Sequence, residues 1–325
     1  MSARARLFVQ SPARLHFGVL DLRGSLGRRF GGLGAAVPSP SLLLEARQSR
    51  EVIARGPDAA RAGEFARRVL AHHGIAGGVD LQVHRAIPAH SGLGSGTQLG
   101  LAVARALAEL YGCPADPPAL ARAAGRGRRS AIGTWTFALG GFIVEGGRRQ
   151  DTDAVAPLLA RFDVPLTWRC VVAVPPGAPG LSGDAEAAAF EQLPPPAERE
   201  VERVAHLVLM QLLPALAEGD LADFGGALSA IQQITGGWFA PTQGGVFAPG
   251  LTRELIDRMA SWGASGVGQS SWGPAVYGIV EGPERGAALA DRVRGVLAGR
   301  GLVFEGGFGG PGSRLAWDAP PDCLD

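Results

Sequence analysis

One segment, Pro88-Ala89-His90-Ser91-Gly92-Leu93-Gly94-Ser95-Gly96-Thr97-Gln98, constrains the fold and chemistry of this chain more than any other. It is too rich in glycine for a regular element. Before it runs the alternating stretch Val79–Ile87, a strand pattern; after it Leu99, Val103, Leu107 and Leu110 recur at helical spacing up to Gly112. A loop opening from a strand into a helix gathers backbone N–H groups and the positive end of the helix at one point, and glycine lets an anion approach closely. Ser91, Ser95 and Thr97 add hydroxyl donors, so Ser91, Gly92, Leu93, Gly94, Ser95, Gly96, Thr97 and Gln98 read as a phosphate loop. A plain strand-to-helix turn needs fewer glycines and no hydroxyls.

The charge composition says what can meet such an anion. Lys+Arg of 31 against Asp+Glu of 30 leaves a net charge of +1, so no general field attracts nucleic acid or an anionic membrane, and anion binding must be local. Lysine is absent altogether, which excludes a Walker lysine and a Schiff-base lysine. Arginine remains, with a planar fork suited to phosphate or carboxylate. Cys113, Cys170 and Cys323 lie far apart, so free thiols are expected rather than a zinc site or a disulfide framework. The opening MSARARLFVQ lacks the apolar core of a signal peptide and no run approaches the ~20 apolar residues of a membrane span, so a cytoplasmic location is expected.

With 325 residues, 46% of them hydrophobic, the chain suffices for two lobes with a buried core. Ala5–Gln10, Arg14–Leu20, Ser41–Ala46 and Val79–Ile87 read as strands, Asp58–His73 and Pro117–Gly125 as helices, and Gly140–Glu145 as a buried strand. Composition shifts near Asp151–Pro165, which places a lobe boundary there: residues 1–165 carry the phosphate loop and residues 166–325 form a second α/β lobe. In that second lobe a strand starts at Arg169, helices follow over Pro196–Leu216, Asp220–Ile234, Leu251–Trp262 and Pro283–Ala298, and strands over Ala275–Val280, Leu302–Glu305 and Arg314–Trp317. The fold class is α+β, in two lobes with the site between them.

Four further groups carry chemistry. On RLHFGVLD, Arg14 and His16 stand two residues apart and share one strand face, with Asp21 beyond them; these three are the candidate catalytic residues, a core histidine being the competing reading. Arg28 lies in a glycine-bounded stretch that can bring it to a substrate anion. The run Gly125–Gly133 concentrates Arg126, Arg128 and Arg129 ahead of Ser130, an arrangement for phosphate or carboxylate. The second glycine segment, Gly263–Pro274, offers Gly268, Gln269, Ser270 and Ser271 to a sugar or phosphate, with Trp272 as a pocket wall. Gln243 is a weaker binding candidate and Glu186 reads as a helix surface residue.

PAHSGLGSGTQLGLAVARAL resembles the phosphate loop of the GHMP family, small-molecule kinases acting on galactose, homoserine and mevalonate, and GVGQSS stands where that family has its C-terminal glycine motif. RLHFGVLDL, RRFGGLGAAV, GLGSGTQLGLAVA, GRGRRSAIG, GGFIVEGG and GQSSWGP together resemble one branch of it, the beta-ribofuranosylaminobenzene 5'-phosphate synthases. The resemblance implies a phosphoribosyltransferase joining phosphoribosyl pyrophosphate to 4-aminobenzoate or 4-hydroxybenzoate, releasing carbon dioxide and pyrophosphate, in the first committed step toward methanopterin. It also implies magnesium (Mg2+), for which Ser95 or Thr97 are candidate ligands, small-molecule substrates, and a homodimer.

Kinases of the family present an aspartate as base near the substrate hydroxyl. The comparable RRSAIGTWTFALGG holds no acidic residue, which suits a glycosyl transfer with no hydroxyl to deprotonate. An ATP-dependent small-molecule kinase and a non-catalytic phosphosugar-binding protein are the competing expectations.

Overall fold

The computed structural model describes residues 5–177, 180 and 183–321. The chain opens with a long antiparallel hairpin, β1 (Leu7–Asp21) and β2 (Arg28–Ser49). Where the sequence suggested two short strands, Ser11-Pro12 is carried inside one strand: the register shifts between Pro12 and Ala13, and the bulge accommodates a residue with no N–H to give the ladder. A second shift between His16 and Gly18 re-aims the strand beside the site.

Around this hairpin gather β3 (Ile53–Arg55), β4 (Gly78–Arg85), β5 (Phe142–Glu145), β6 (Arg148–Arg149) and β7 (Leu158–Phe162). Packed on them are the helices α1 (Ala59–His73), α2 (Ser95–Tyr111), α3 (Pro117–Ala123) and α4 (Ile132–Leu139). No periodicity announces α4, whose Thr134, Trp135, Thr136 and Phe137 are poor helix formers; burial of Ile132, Thr134, Thr136 and Phe137 overrides propensity there.

The second sheet is antiparallel, ordered β11-β8-β10-β9, from β8 (Trp168–Val174), β9 (Gly266–Gln269), β10 (Val276–Glu281) and β11 (Leu302–Gly307). Its helices are α5 (Gly183–Gln192), α6 (Glu198–Leu207), α7 (Leu213–Glu218), α8 (Leu221–Gln243), α9 (Leu251–Ser261) and α10 (Pro283–Leu297), a π-helical turn at Val208–Leu212 joining α6 to α7. The expected helix Asp220–Ile234 runs on to Gln243, carrying Phe239 and Gln243 to the site. The last strand, β12 (Arg314–Trp317), leaves this sheet and pairs with β1, so the chain returns to the first sheet at its end.

One aromatic core ties the sheets together. Phe17 of β1 stacks on Phe142 of β5 at 5.8 Å and meets Tyr277 of β10 edge-on at 5.1 Å, while Phe224 of α8 lies 4.9 Å from Trp168 of β8. Each such ring contributes about 1.5–3 kcal/mol by leaving water. Cys170 is buried and Cys113 half-buried, both as free thiols, and Cys323 lies outside the described residues. Among the described residues no helix is long and apolar enough to cross a membrane.

Candidate active site

The glycine loop folds as a cradle braced from behind. His90, Gly92 and Gly94 all have positive φ, and Gly94 caps α2 with no side-chain bond and no acidic residue in the first turn. A Cβ on Gly92 would lie 2.2 Å from the Ser270 carbonyl oxygen, and one on Gly273 would lie 2.0 Å from that of Ser91. The two glycine segments therefore pack backbone to backbone, and Ala275 N donates to Ser91 O at 3.0 Å. Arg14 completes the brace, donating to Gly92 O at 2.6 Å while its stem fills the space a side chain at Gly94 would take.

This bracing divides the expected binding residues. Ser91 donates to Pro88 O, Leu93 is buried, and Gln98 accepts from Ser11 Oγ at 2.5 Å and donates to Gly133 O, so these side chains hold the loop rather than a ligand. Ser95 is buried as well, and Thr97 is the loop side chain that reaches the cavity. In the second segment Ser270 is buried, donating to Gly92 O and accepting from His16 N, and Gly268 is packed against Gln232 and Tyr277; both are structural. Gln269 and Ser271 do face the cavity, with Gln243 bonded to Gln269 at 3.3 Å.

The cavity encloses about 1000 Å³ between the sheets. One end is basic: Arg14, Arg68, Arg126, Arg128 and Arg129 line it, and Arg61 stands behind Gly96 together with Arg126. Burial, with Arg61 and Arg68 as the nearest like charges, pulls Arg126 down to about 10, and its Nε is buried with no hydrogen-bond partner. Burial likewise pulls Arg14 down to about 10. An uncapped helix start facing crowded guanidinium groups is a site for a polyanion.

Glu186 belongs to the cavity, not to a helix surface as its sequence context suggested. It pairs with Arg129 at 2.5 Å from α5, and burial raises its pKa against the pull of Arg129, Arg14 and Arg126. Aromatic rings also line the cavity: Trp272 lies 4.8 Å from Phe239 and 5.5 Å from Phe190, whose ring is 5.8 Å from the Arg129 guanidinium. This box suits a flat apolar ligand.

His16 lines the cavity beside Ser130, its Nε2 3.3 Å from Ser130 Oγ, and burial followed by the Arg14 charge lowers it to about 3, leaving a neutral imidazole. Asp21 does not join it: its carboxylate accepts from Arg23 N and Gly24 N, closing the turn after β1. Arg28 also stands apart, exposed and donating to Gly147 O, while its neighbour Arg29 lines the cavity with Arg148, because successive strand residues face opposite sides.

As for magnesium, no three His, Cys, Asp or Glu side chains converge among the described residues. The cavity supplies the Thr97 hydroxyl and the Glu186 carboxylate, which fit a hard cation carried in on phosphate oxygens and keeping much of its water, not an all-protein cage.

Residues 60–141 match the GHMP kinases N terminal domain and residues 212–299 the GHMP kinases C terminal domain. A homoserine kinase from Cytophaga hutchinsonii superposes with a TM-score of 0.67 at 16% identity, covering 97% of this chain and 99% of that one. A phosphomevalonate kinase from Streptococcus pneumoniae gives 0.67 at 14%, covering 93% and 99%; both likenesses concern the fold. In sequence, the beta-ribofuranosylphenol 5'-phosphate synthase of Methanothermobacter thermautotrophicus is 36% identical over 93% of this chain and 96% of its own. Those of Archaeoglobus fulgidus, at 35% over 85% and 88%, and Methanocaldococcus jannaschii, at 30% over 83% and 88%, agree along most of their length. The chain thus has the GHMP kinase fold and belongs, within it, to the family of the beta-ribofuranosylphenol 5'-phosphate synthases.

Proposed function

We propose that the chain condenses phosphoribosyl pyrophosphate with 4-hydroxybenzoate, losing carbon dioxide and pyrophosphate, to give beta-ribofuranosylphenol 5'-phosphate. The observation that carries the reading is one cavity holding crowded arginines, an uncapped helix start and a cluster of aromatic rings. The relatives' name, a phenol, favours the hydroxy acid over 4-aminobenzoate.

In this reading the pyrophosphate lies against the start of α2, where Arg126 and Arg68 take up the negative charge that grows as the C1–oxygen bond of the ribose breaks. Magnesium, held by Thr97 and Glu186 beside the phosphate oxygens, would supply further neutralisation of that leaving group. The ring rests against Phe239 and Trp272, and its carboxylate-bearing carbon attacks C1 from the face opposite the pyrophosphate. Arg29 and Arg148 on the remaining wall suit the 5'-phosphate or the carboxylate. Loss of carbon dioxide leaves its electron pair in the ring and restores aromaticity.

The test is release of labelled carbon dioxide from carboxyl-labelled 4-hydroxybenzoate with phosphoribosyl pyrophosphate and magnesium, without ATP. Release that needs both substrates supports the reading. No release from either benzoate, with ATP consumed against a small alcohol, returns the chain to the kinases whose fold it shares.

A further inference from the structure

Glu145, the last residue of β5, is wholly buried behind the cavity, and among the described residues no side chain of opposite charge pairs with it. Its Oε2 accepts from Gly147 N at 2.7 Å and its Oε1 from Ala131 N at 3.3 Å. The third contact is Ser130, whose hydroxyl bonds the carboxyl and also stands 3.3 Å from His16 Nε2. Gly32 makes the meeting possible: a Cβ there would lie 3.3 Å from His16 Nε2 and 3.4 Å from Glu145 Oε1. A glutamine offers one acceptor oxygen and would turn its amide N–H toward one of these two backbone donors, so the position takes a carboxyl, and the Ser130 contact connects that carboxyl to the cavity.

We propose that Glu145 is the proton store of the site, exchanging a proton with the substrate through Ser130 and the His16 imidazole. The inference rests on the reading above, whose chemistry needs such a store. As the ring carbon bonds to C1 and pyrophosphate leaves with the C1–oxygen electrons, the phenolic O–H breaks and leaves a neutral dienone. The imidazole takes that proton and passes one to Ser130, whose own proton goes to the Glu145 carboxylate. When carbon dioxide departs, its electron pair returns to the ring and the phenolate oxygen recovers the proton along the same path. The net proton count is zero, so the store must be reversible and sealed from water. Burial pushes Glu145 up to about 7 against the Gly147, Ala131 and Ser130 bonds, near the balance point such a store needs.

The charged groups lining the cavity in front of this path are Arg14 on β1, Arg29 on β2, Arg68 on α1, Arg126, Arg128 and Arg129 ahead of α4, Arg148 on β6, and Glu186 and Glu191 on α5. Glu186 is the other carboxyl near this path with a raised pKa and serves as the control. Glu145 is a positioning residue, so the test needs more than lost activity. In ¹⁵N-histidine spectra assigned with His16→Gln, the wild-type His16 resonance should move with an inflection near pH 7. The inflection should vanish in Glu145→Gln and persist in Glu186→Gln. This readout requires no turnover and stands even where the carbon dioxide assay fails. In turnover, Glu145→Gln should lower kcat about 10- to 100-fold, remove the acid limb near pH 7, and leave KM for phosphoribosyl pyrophosphate unchanged. An inflection that survives Glu145→Gln, or an acid limb lost only in Glu186→Gln, would overturn the proposal.

Discussion

Arg126→Met separates what the cavity costs from what it does. In the free protein the Arg126 guanidinium is pulled down to about 10, and at 1.36 kcal/mol per pKa step its charged form is disfavoured by roughly 3 kcal/mol. The group is half-buried, so solvent screening reduces this to about 1–2 kcal/mol. For a lowered cation the penalty is complete at every pH below about 10 and is relieved only as pH rises through that value, so it is fully present under working conditions. Methionine keeps an apolar stem against the Phe65 ring, over which the guanidinium now sits at 4.9 Å, and replaces a cation–π contact by a sulfur–ring contact of similar size. The free variant should therefore melt about 2–4 °C higher. Its affinity for pyrophosphate should fall roughly 10- to 150-fold, the equivalent of about 1.5–3 kcal/mol for a lost charge-assisted bond. Differential scanning fluorimetry with and without pyrophosphate, together with calorimetric titration, reads both. A variant that melts lower than wild type and binds pyrophosphate within twofold of it would refute the assignment of the anion site.

Phe239→Leu keeps apolar volume but removes a ring from the aromatic wall, and should raise KM for the benzoate about 2- to 12-fold while leaving that for phosphoribosyl pyrophosphate unchanged in steady-state kinetics. Gly92→Ala, with φ of 89° and a Cβ 2.2 Å from the Ser270 carbonyl oxygen, should cost more than about 3 kcal/mol in urea denaturation, whereas Gly112→Ala, with nothing within 4 Å, should cost about 1 kcal/mol. Glu145 has a folded pKa of about 7, above the ordinary ~4.3, so wild-type stability should fall as pH rises from about 4.3 to about 7 and then level. Glu145→Gln should remove that slope, so that the variant gains roughly 2–4 kcal/mol on wild type between pH 4 and pH 8, on top of a pH-independent loss of about 1–3 kcal/mol for the backbone N–H that faces its amide nitrogen, as thermal melts across pH would show. Burial raises the Cys170 thiol well above its usual range, so iodoacetamide and mass spectrometry should find Cys113 modified first and Cys170 only after denaturation.

What the sequence made legible was backbone chemistry. Glycine and hydroxyl residues in alternation announce a loop before a helix, and the Arg14–His16 spacing announces a shared strand face, since both depend only on local geometry. The direction in which side chains project was less legible. Arg28 and Arg29 are equivalent in the sequence until pairing with β6 sets which one faces inward. Asp21 continues the strand beyond the shift at His16 and Gly18 and ends in the hairpin turn. Arg61 and Arg68 stand seven apart on α1, and only the packing of α1 beside α2 brings them to Gly96 and the cavity rim. Glu145 carried no signal either, because a carboxylate followed by two glycines looks like a strand end entering a turn.

In the proposed reading, the link between α3 and α4 lets a kinase-like frame serve a phosphoribosyl transfer. In about eight residues it carries Arg126 to the phosphate loop and Ser130 to His16 and Glu145, and the stretch RRSAIGTWTFALGG that begins in it and continues through α4 contains no acidic residue. Two groups on or against this link carry their charge at an energetic cost in the free protein, Arg126 throughout the working range and Glu145 above about pH 7. A ligand that brings an anion to the first and exchanges a proton with the second reduces both costs together, and a native state stabilised in this way gains about 2.7 kcal/mol at a ligand concentration of 100 times Kd. Pyrophosphate alone relieves Arg126 but not Glu145. The stabilisation it gives should therefore be independent of pH between about 6 and 8 in wild type and Glu145→Gln alike, once the ligand's own ionisation is subtracted with a buffer titration. A substrate-dependent pH slope, present in wild type with the benzoate bound and absent in Glu145→Gln, would tie the proton to the aromatic ligand rather than to the anion.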